Sequence, residues 1–201
     1  MVGVIVLAAG GSTRLGHPKQ LLPHLGRTLL RHAADVAVQA ATGPVVVVLG
    51  AHGESIRSEL DGLAVQVTMN RDWHTGIATS IQAGLGSVGR DREPDAVILM
   101  TCDQPHVSAE LLRRLVDRYA DARPPAVACA YAGTLGTPAL FDRSLFGELW
   151  LLTGDHGAKQ VIERHQSGAV RVAFDNGAVD IDTAEDVARL GSERSTNGRT
   201  A

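Results

Sequence analysis

Short, fully apolar runs rich in valine recur along this chain and alternate with segments of helical periodicity. Such runs are typical of strands buried on both faces, as in a parallel sheet covered by helices. The alternation predicts an α/β fold with three layers and a mostly parallel central sheet, in which ligands bind at the carboxyl ends of the strands. The predicted strands are residues 2–7, 45–49, 65–69, 96–100, 126–131 and 170–174.

The segments between these runs predict the helices of the outer layers. Apolar side chains recur at helical spacing in residues 28–41 and 109–120. The polar, turn-rich residues 86–94 predict an exposed loop. Residues 132–141 predict a hairpin that returns as an edge strand, because Pro138 has no N–H to give to a strand ladder. Shorter helices are predicted at residues 54–60, from about 75 to 85, at 142–152 and at 160–165.

Composition and charge narrow the classes of partner. The net charge of -3 and the aromatic content of 3% argue against nucleic-acid binding. No run reaches the roughly 20 apolar residues that a membrane span needs, and the chain opens on a strand without a basic leader, so we expect no membrane partner and a cytoplasmic protein. We also expect one domain over residues 1–190 and a disordered tail over residues 191–201.

Cysteine and histidine spacing argues against a zinc or redox site. Cys102 and Cys129 are too far apart for a Cys-x-x-Cys pair, and we expect both to be small apolar core residues. The eight histidines include no pair at the spacing of zinc ligands.

The first predicted strand runs into a glycine-rich segment, whose residues 7–22 read LAAGGSTRLGHPKQLL. Gly10, Gly11, Ser12 and Gly16 can present backbone N–H groups to an anion, and Arg14 and Lys19 add positive charge. The segment therefore predicts a polyphosphate-binding loop. It is not a P-loop, because the lysine and the serine or threonine of that motif do not follow its glycines, and the dinucleotide pattern G-x-G-x-x-G is absent.

A carboxylate follows the strand predicted at residues 96–100. Asp103 would lie at the same edge of the sheet as the glycine-rich loop. Mg²⁺ is commonly held by one or two carboxylates together with substrate phosphates, which makes Asp103 a candidate magnesium ligand. The alternative is that Asp103 caps the next helix, although Ser108 is better placed for that role.

The glycine-rich loop resembles the signature L-A-A-G-x-S-x-R-[ML]-G-x-x-K of the molybdenum cofactor cytidylyltransferase group of nucleotidyltransferases. Further segments resemble motifs of that group in the same order, including C-D-Q-P at residues 102–105 and D-I-D-T-x-E-D at residues 180–186. The resemblance implies a Rossmann-like enzyme that transfers CMP from CTP to the phosphate of molybdopterin and releases pyrophosphate. It also implies Mg²⁺ as cofactor and a molybdenum hydroxylase as client. CTP is favoured over GTP because the guanylyl branch usually reads L-A-G-G at the loop.

The resemblance implies roles for individual residues as well. Arg14, Lys19 and Asp103 would be catalytic, while Asp103 and Asp182 would hold Mg²⁺, with Asp180 as the alternative to Asp182. The residues implied in nucleotide binding are Leu7, Ala8, Ala9, Gly10, Gly11, Ser12, Arg14, Lys19, Asn70, Gly76, Ser80 and Asp103. Those implied in acceptor binding are Gly136, Pro138, Asp155 and Lys159.

Some of these residues have simpler interpretations. Trp73 is favoured as a packing anchor, since large aromatic side chains mostly serve packing. Ser80 can be an ordinary helix-surface residue. Asp155 suits the N-cap of the following helix, and Lys159 either faces the acceptor's phosphate or stays in solvent.

The sequence also leaves alternatives open for the identity of the acceptor and for the class of protein. Thr137 stands where the group commonly has a histidine, so a sugar phosphate, a polyol phosphate or a deazaflavin precursor remains an alternative acceptor. A protein that only binds a cofactor and delivers it is a further alternative. Against it, a carrier has no need for the charged set of Arg14, Lys19, Asp103 and Asp182.

Overall fold

The structure is a computed structural model that describes residues 1–90, 93–181, 183 and 185–186. It has the predicted three-layer α/β fold, with helices on both faces of a central sheet. The strands are β1 (Val2–Ala8), β2 (Pro23–His24), β3 (Arg27–Thr28), β4 (Val45–Leu49), β5 (Gln66–Met69), β6 (Ala96–Thr101), β7 (Ala126–Tyr131), β8 (Thr134–Asp142) and β9 (Val170–Ala173). The α-helices are α1 (Leu29–Ala40), α2 (Gly53–Ile56), α3 (Ile77–Val88), α4 (Ala109–Ala122), α5 (Phe146–Trp150) and α6 (Ala158–Arg164). The 3₁₀ helices are Lys19–Leu21, Arg57–Leu60, Trp73–Thr75, Arg143–Leu145 and Asp175–Ala178.

In the described part of the chain the central sheet has seven strands, in the order β5-β4-β1-β6-β8-β7-β9. Neighbouring strands pair in parallel, except that β8 runs antiparallel to β6 and β7. The carboxyl ends of β1, β4, β5 and β6 therefore meet along one edge. This is the edge at which ligands bind in parallel sheets.

Alternate side chains of β1 show how the layers are held together. Val4 and Val6 pack into the apolar cluster that contains α1 and α4, whereas Ile5 and Leu7 pack into the cluster of α3, α5 and α6. Each of these four side chains is buried, as the two-residue period of a strand covered on both faces requires. The glycine-rich loop therefore leaves the sheet from one of its central strands.

The prediction that residues 132–141 form an edge strand is wrong, because β8 lies inside the sheet between β6 and β7. The register with β7 shifts at this point, where Ala128 pairs with Ala139 but Cys129 pairs with Gly136. Pro138 lies within this irregularity and has no ladder bond to donate. A strand can therefore contain a proline, which donates no hydrogen bond to the ladder, and still lie in the interior of the sheet.

Several predicted boundaries shift. α3 continues to Val88, three residues into the loop predicted to begin at residue 86. The reason is packing, because Ser87 and Val88 are buried and Val88 belongs to the apolar cluster of α3, α5 and α6. The helices predicted at residues 54–60 and 142–152 divide into a 3₁₀ turn and a short α-helix.

The tail predicted at residues 191–201, and the domain limit at residue 190, lie outside the described residues. No helix in the described part of the chain is long and apolar enough to cross a membrane.

Candidate functional site

A cavity of about 380 Å³ lies at the carboxyl edge of the sheet, between the glycine-rich loop, the end of β6 and the start of α3. The predicted site residues that line it are Leu7, Ala8, Ala9, Gly10, Gly11, Lys19, Gly76, Ser80, Asp103 and Asp155. The other lining residues are Thr13, Gln20, Trp73, His74, Ile77, Thr101 and Cys102. The predicted residues that do not line it are Ser12, Arg14, Asn70, Gly136, Pro138 and Lys159. Asp182 lies outside the described residues.

The glycine-rich loop is held in shape by its own polar groups. Ser12 has a φ of 51°, in the left-handed region, and its carbonyl accepts hydrogen bonds from the N–H groups of Leu15 (3.0 Å) and Gly16 (3.2 Å). The Ser12 hydroxyl accepts a hydrogen bond from the N–H of Lys19 at 3.0 Å. Ser12 therefore fixes the loop and the start of the 3₁₀ turn that carries Lys19, although its side chain does not line the cavity.

Lys19 and Asp103 form an ion pair across the cavity. The distance from Nζ of Lys19 to Oδ2 of Asp103 is 2.5 Å, and the side chains are only 15% and 17% exposed. The pair joins the glycine-rich loop to the end of β6. It places a cation suited to phosphate and a carboxylate suited to a hard metal ion side by side.

The chain returns to Asp103 near its C-terminal end. The N–H of Ile181 donates to the carbonyl oxygen of Asp103 at 3.0 Å, and the Ile181 side chain packs with Leu22 and Leu29. Residues 180 and 181 are thus fixed beside the end of β6. Thr183 and Asp186 are hydrogen-bonded in the same segment: the N–H of Thr183 donates to Oδ2 of Asp186 at 2.8 Å.

The start of α3 is fixed by a close backbone contact. Gly76 has a φ of +119°, and a Cβ at this position would lie 2.1 Å from the carbonyl oxygen of Gly154. The same carbonyl accepts a hydrogen bond from the N–H of Ala78 at 3.1 Å. Only glycine fits this conformation and this spacing. The contact brings Asp155 to the cavity wall.

Asn70 acts through Ser80. Its side-chain amide donates to the hydroxyls of Ser80 and Thr79, each at 2.9 Å, and its Oδ1 accepts from the N–H of Asp72 at 3.0 Å. Ser80 is only 4% exposed and lines the cavity, so the interpretation of an ordinary helix-surface residue is wrong. Asn70 lies behind it and orients it.

Trp73 both packs and lines the cavity. A Cβ on Gly11 would lie 3.0 Å from the Trp73 ring, and one on Gly50 would lie 2.6 Å from Cβ of Trp73. The ring also contacts the apolar cluster below α3. The absence of side chains at Gly11 and Gly50 lets the indole lie against the glycine-rich loop.

The residues predicted for the acceptor are dispersed. Gly136 and Pro138 are buried in β8, where a Cβ on Gly136 would lie 2.1 Å from the Tyr131 hydroxyl. Lys159 is exposed on α6. Asp155 is the member of this group that reaches the cavity, and the interpretation of it as an N-cap is wrong, because Gly157 holds that position without a side-chain cap.

The thiol beside Asp103 is not a nucleophile at neutral pH. Burial, together with the neighbouring Asp103 carboxylate, raises the pKa of Cys102 to about 12. Cys129 is likewise buried in β7 and has a pKa of about 12. Both cysteines are free thiols in the core, as predicted. The described residues hold no group of three or more His, Cys, Asp or Glu arranged as a metal site.

Two buried glutamines were not identified from the sequence. Gln20, 0% exposed, donates to the carbonyls of Ala8 (3.0 Å) and Gly10 (2.8 Å) in the glycine-rich loop. Gln104, next to Asp103, donates to the carbonyls of Thr137 (3.2 Å) and Gly177 (3.1 Å). Each glutamine directly follows a charged residue of the site, Lys19 or Asp103, and its role becomes apparent only once the fold shows that it is buried.

Comparison with known proteins gives a family match over most of the chain. Residues 4–169 match the profile of the MobA-like NTP transferase domain. Nicotine blue oxidoreductase of Paenarthrobacter nicotinovorans is 28% identical over 198 residues, covering 92% of this chain and 94% of that protein.

Solved structures agree with the fold. The crystal structure of Rv0371c from Mycobacterium tuberculosis H37Rv superimposes with a TM-score of 0.81 at 35% identity, over 94% of this chain and 96% of that chain. Its complex with manganese gives a TM-score of 0.75 at 34% identity, over 94% and 97% of the two chains. Molybdopterin-guanine dinucleotide biosynthesis protein A of Archaeoglobus fulgidus has the same fold, with a TM-score of 0.71 at 20% identity over 96% and 99%.

Proposed function

Because this chain belongs to the MobA-like NTP transferase family, and is thus a nucleotidyltransferase, we propose that it transfers CMP from CTP to the phosphate of a molybdopterin-type cofactor and releases pyrophosphate. The observation that carries the proposal is the ion pair of Lys19 and Asp103, which lines the same cavity as Ala9, Gly10 and Gly11 of the glycine-rich loop. Phosphate-binding backbone, a cation and a carboxylate meet there. A nucleotidyl transfer needs these three groups together.

In the proposed reaction an oxygen of the acceptor's phosphate attacks the α-phosphorus of the NTP. The new P–O bond forms as the bond to pyrophosphate breaks, in line with the attacking oxygen. No protein nucleophile is needed, which agrees with the protonated state of Cys102 at neutral pH. The protein positions the two phosphates and offsets their negative charge.

The chain's residues take distinct parts in this scheme. The backbone N–H groups from Ala9 to Ser12 bind the β- and γ-phosphates, and Arg14 offsets the charge that develops on pyrophosphate. Lys19 binds the α-phosphate. Leu7, Gly76 and Ser80 border the space for the base and ribose, with Asn70 orienting the Ser80 hydroxyl.

The carboxylates fit a hard divalent cation. Asp103 lines the cavity, and the hydrogen bond from the N–H of Ile181 to the Asp103 carbonyl holds residues 180 and 181 beside it. One or two carboxylates suffice, because Mg²⁺ takes its remaining ligands from phosphates and water. Asp103 and Asp182 are the proposed ligands, and the bound cation would supply positive charge next to the transferred phosphate.

The acceptor side of the proposal rests on different support. Asp155 reaches the cavity wall, and a protein of the same fold is named for molybdopterin-guanine dinucleotide biosynthesis. Gly136, Pro138 and Lys159 complete the proposed acceptor surface, and a molybdenum hydroxylase is the proposed recipient of the product. One relative, nicotine blue oxidoreductase, is named for a different reaction. Several candidate acceptors should therefore be compared in parallel.

The test is pyrophosphate release from CTP, GTP and ATP, with and without molybdopterin and with Mg²⁺, Mn²⁺ or EDTA. We expect release from CTP that requires both the pterin and a divalent cation. Pyrophosphate release with a sugar phosphate, a polyol phosphate or a deazaflavin precursor, and not with the pterin, would show that this other compound is the acceptor. Nucleotide binding without release from any NTP would favour a cofactor carrier and contradict the proposal.

Variants of the ion pair test the assignment of roles. Removing a charge aimed at the transition state typically lowers the rate by roughly 10²- to 10³-fold. We therefore expect a loss of at least that size in kcat for Lys19→Ala and for Asp103→Ala. Circular dichroism of each variant checks that the fold is kept. Near-normal turnover in either folded variant would be incompatible with the assigned roles.

A further inference from the structure

Gln20 is a polar side chain with 0% exposure, placed between the ion-paired Lys19 and the apolar Leu21 and Leu22. Burying an amide is unfavourable unless its hydrogen bonds are made. Here both donated bonds go to the glycine-rich loop: Nε2 lies 3.0 Å from the carbonyl oxygen of Ala8 and 2.8 Å from that of Gly10. Gln20 thus binds the inner side of the loop at two points.

These two bonds determine the orientation of two peptide units. In a planar trans peptide the C=O of one residue and the N–H of the next point in opposite directions. Because the carbonyls of Ala8 and Gly10 point to Gln20, the N–H groups of Ala9 and Gly11 point away from it. Within the described residues the N–H of Gly11 donates to no backbone carbonyl.

A third contact links Gln20 to the cation of the site. The Ser12 hydroxyl donates to Oε1 of Gln20 at 3.4 Å and accepts from the N–H of Lys19 at 3.0 Å. The amide therefore connects the loop with the residue whose ammonium group pairs with Asp103. The buried side chain of Gln20 is thus linked by hydrogen bonds both to the backbone of the glycine-rich loop and, through Ser12, to the backbone of Lys19.

We propose that Gln20 is a positioning residue for the phosphates: it orients the N–H groups of Ala9 and Gly11 so that they bind the triphosphate of the nucleotide. The proposal rests on the proposed function and names the part of the site that recognises phosphate. Gln20 itself does not contact the reacting atoms in this scheme. Its effect is specific to the phosphate portion of the ligand, whereas a purely structural role would affect all ligands of the cavity alike.

The chain offers a matched control in Gln82. Its amide also donates to two carbonyls, those of Trp150 (2.9 Å) and Leu152 (3.0 Å), and it does not line the cavity. Gln20→Met and Gln82→Met each remove two amide-to-carbonyl bonds with little change in side-chain length. Both are made in the full chain, and the melting temperature of each is recorded.

Calorimetric titrations with CTP, cytidine and inorganic tripolyphosphate distinguish the two roles. We expect Gln20→Met to bind CTP and tripolyphosphate roughly tenfold to a hundredfold more weakly, with cytidine within about twofold of wild type. Gln82→Met binds all three as wild type does. Equal weakening of CTP and cytidine, or unchanged CTP binding, would overturn the proposal.

A second measurement does not depend on a folded variant. In the wild-type protein, addition of tripolyphosphate shifts the amide resonances of Ala9 and Gly11 more than those of Leu15 and Gly16, whose N–H groups bond to Ser12. Unshifted resonances at Ala9 and Gly11 in the bound state would contradict the proposal. Tripolyphosphate binding without pyrophosphate release from any NTP would remove the proposed reaction and leave this inference standing.

Discussion

At the scale of single residues, the pair of Lys19 and Asp103 has a measurable thermodynamic signature. Both side chains are less than one-fifth exposed, so removing one partner leaves the other charge poorly solvated. We expect Lys19→Met and Asp103→Asn each to lower the free energy of unfolding by about 1–3 kcal/mol. The double variant loses less than the sum of the two, because no uncompensated charge remains. Urea denaturation of the four proteins measures this coupling.

An exposed ion pair serves as the control for that cycle. Arg143 and Glu93 lie 3.7 Å apart with side chains 46% and 61% exposed, so solvent screens their attraction. The same cycle at Arg143→Met and Glu93→Gln gives a coupling close to zero. If the losses at Lys19 and Asp103 are strictly additive, the two charges do not act as a pair.

The same scale shows what a sequence does and does not reveal about a site. Lys19 and Asp103 stand in recognisable motifs after apolar runs, and the structure brings them together as an ion pair. Gln20 and Asn70 act through other residues, by holding carbonyls or a hydroxyl in place. The roles of Gln20 and Asn70 depend on which atoms lie within hydrogen-bonding distance of their amides, and tertiary packing determines those neighbours. Asp182 lies outside the described residues and stays a prediction.

At the scale of elements, the approach of α3 to the segment before α6 depends on Gly76. A side chain there would meet the Gly154 carbonyl at 2.1 Å, and the φ of +119° is strained for any other residue. We expect Gly76→Ala to destabilise the fold by at least about 2 kcal/mol and to weaken nucleotide binding. Urea denaturation and CTP titration measure the two effects.

Gly147 in α5 provides the contrast. A Cβ at this position meets no atom within 4 Å, and the residue is helical. Gly147→Ala is expected to stabilise the protein by roughly 0.5–1 kcal/mol, because alanine loses less backbone entropy in a helix. A Gly76→Ala protein as stable as Gly147→Ala would show that the backbone contact with Gly154 is not rigid.

Among the elements, the order of strands was the least accessible to prediction. Short apolar runs predicted strands β1, β4 and β6 within a residue or two, because burial on both faces leaves a clear signal. β8 carries a proline, and the rule that prolines occupy edge strands led to the wrong position. The register shift near Cys129 that accommodates Pro138 arises from pairing between strands and has no counterpart in the local sequence.

At the scale of the whole molecule, the three-layer fold followed from alternation alone. The strands of a sheet covered on both faces must be apolar throughout, and the connecting helices must show one apolar side. β1 meets this condition, with consecutive side chains assigned to opposite layers. The same burial places Cys102 and Cys129 in the core as free thiols, so the stability of the protein depends on pH where thiols ionise.

Burial raises the pKa of both thiols from 9.0 to about 12 in the folded chain. Above pH 9 the unfolded chain therefore loses thiol protons that the folded chain retains. The free energy of unfolding must then fall as pH rises, by at most about 1.4 kcal/mol per pH unit for each thiol. The raised pKa values of Tyr119 and Tyr131, both caused mainly by burial, act in the same direction above pH 10.

Urea denaturation at intervals of about one pH unit above pH 9 measures this slope, and Cys129→Ala separates the contribution of Cys129 from those of Cys102 and the tyrosines. We expect the variant to be less stable near neutral pH but to lose stability more slowly with rising pH, since one of the two retained thiol protons is gone. A variant with the wild-type slope would mean that Cys129 ionises alike in both states. Its strand β7 would then admit water, and the central sheet would not be the dry core that holds the loop and Asp103 in place.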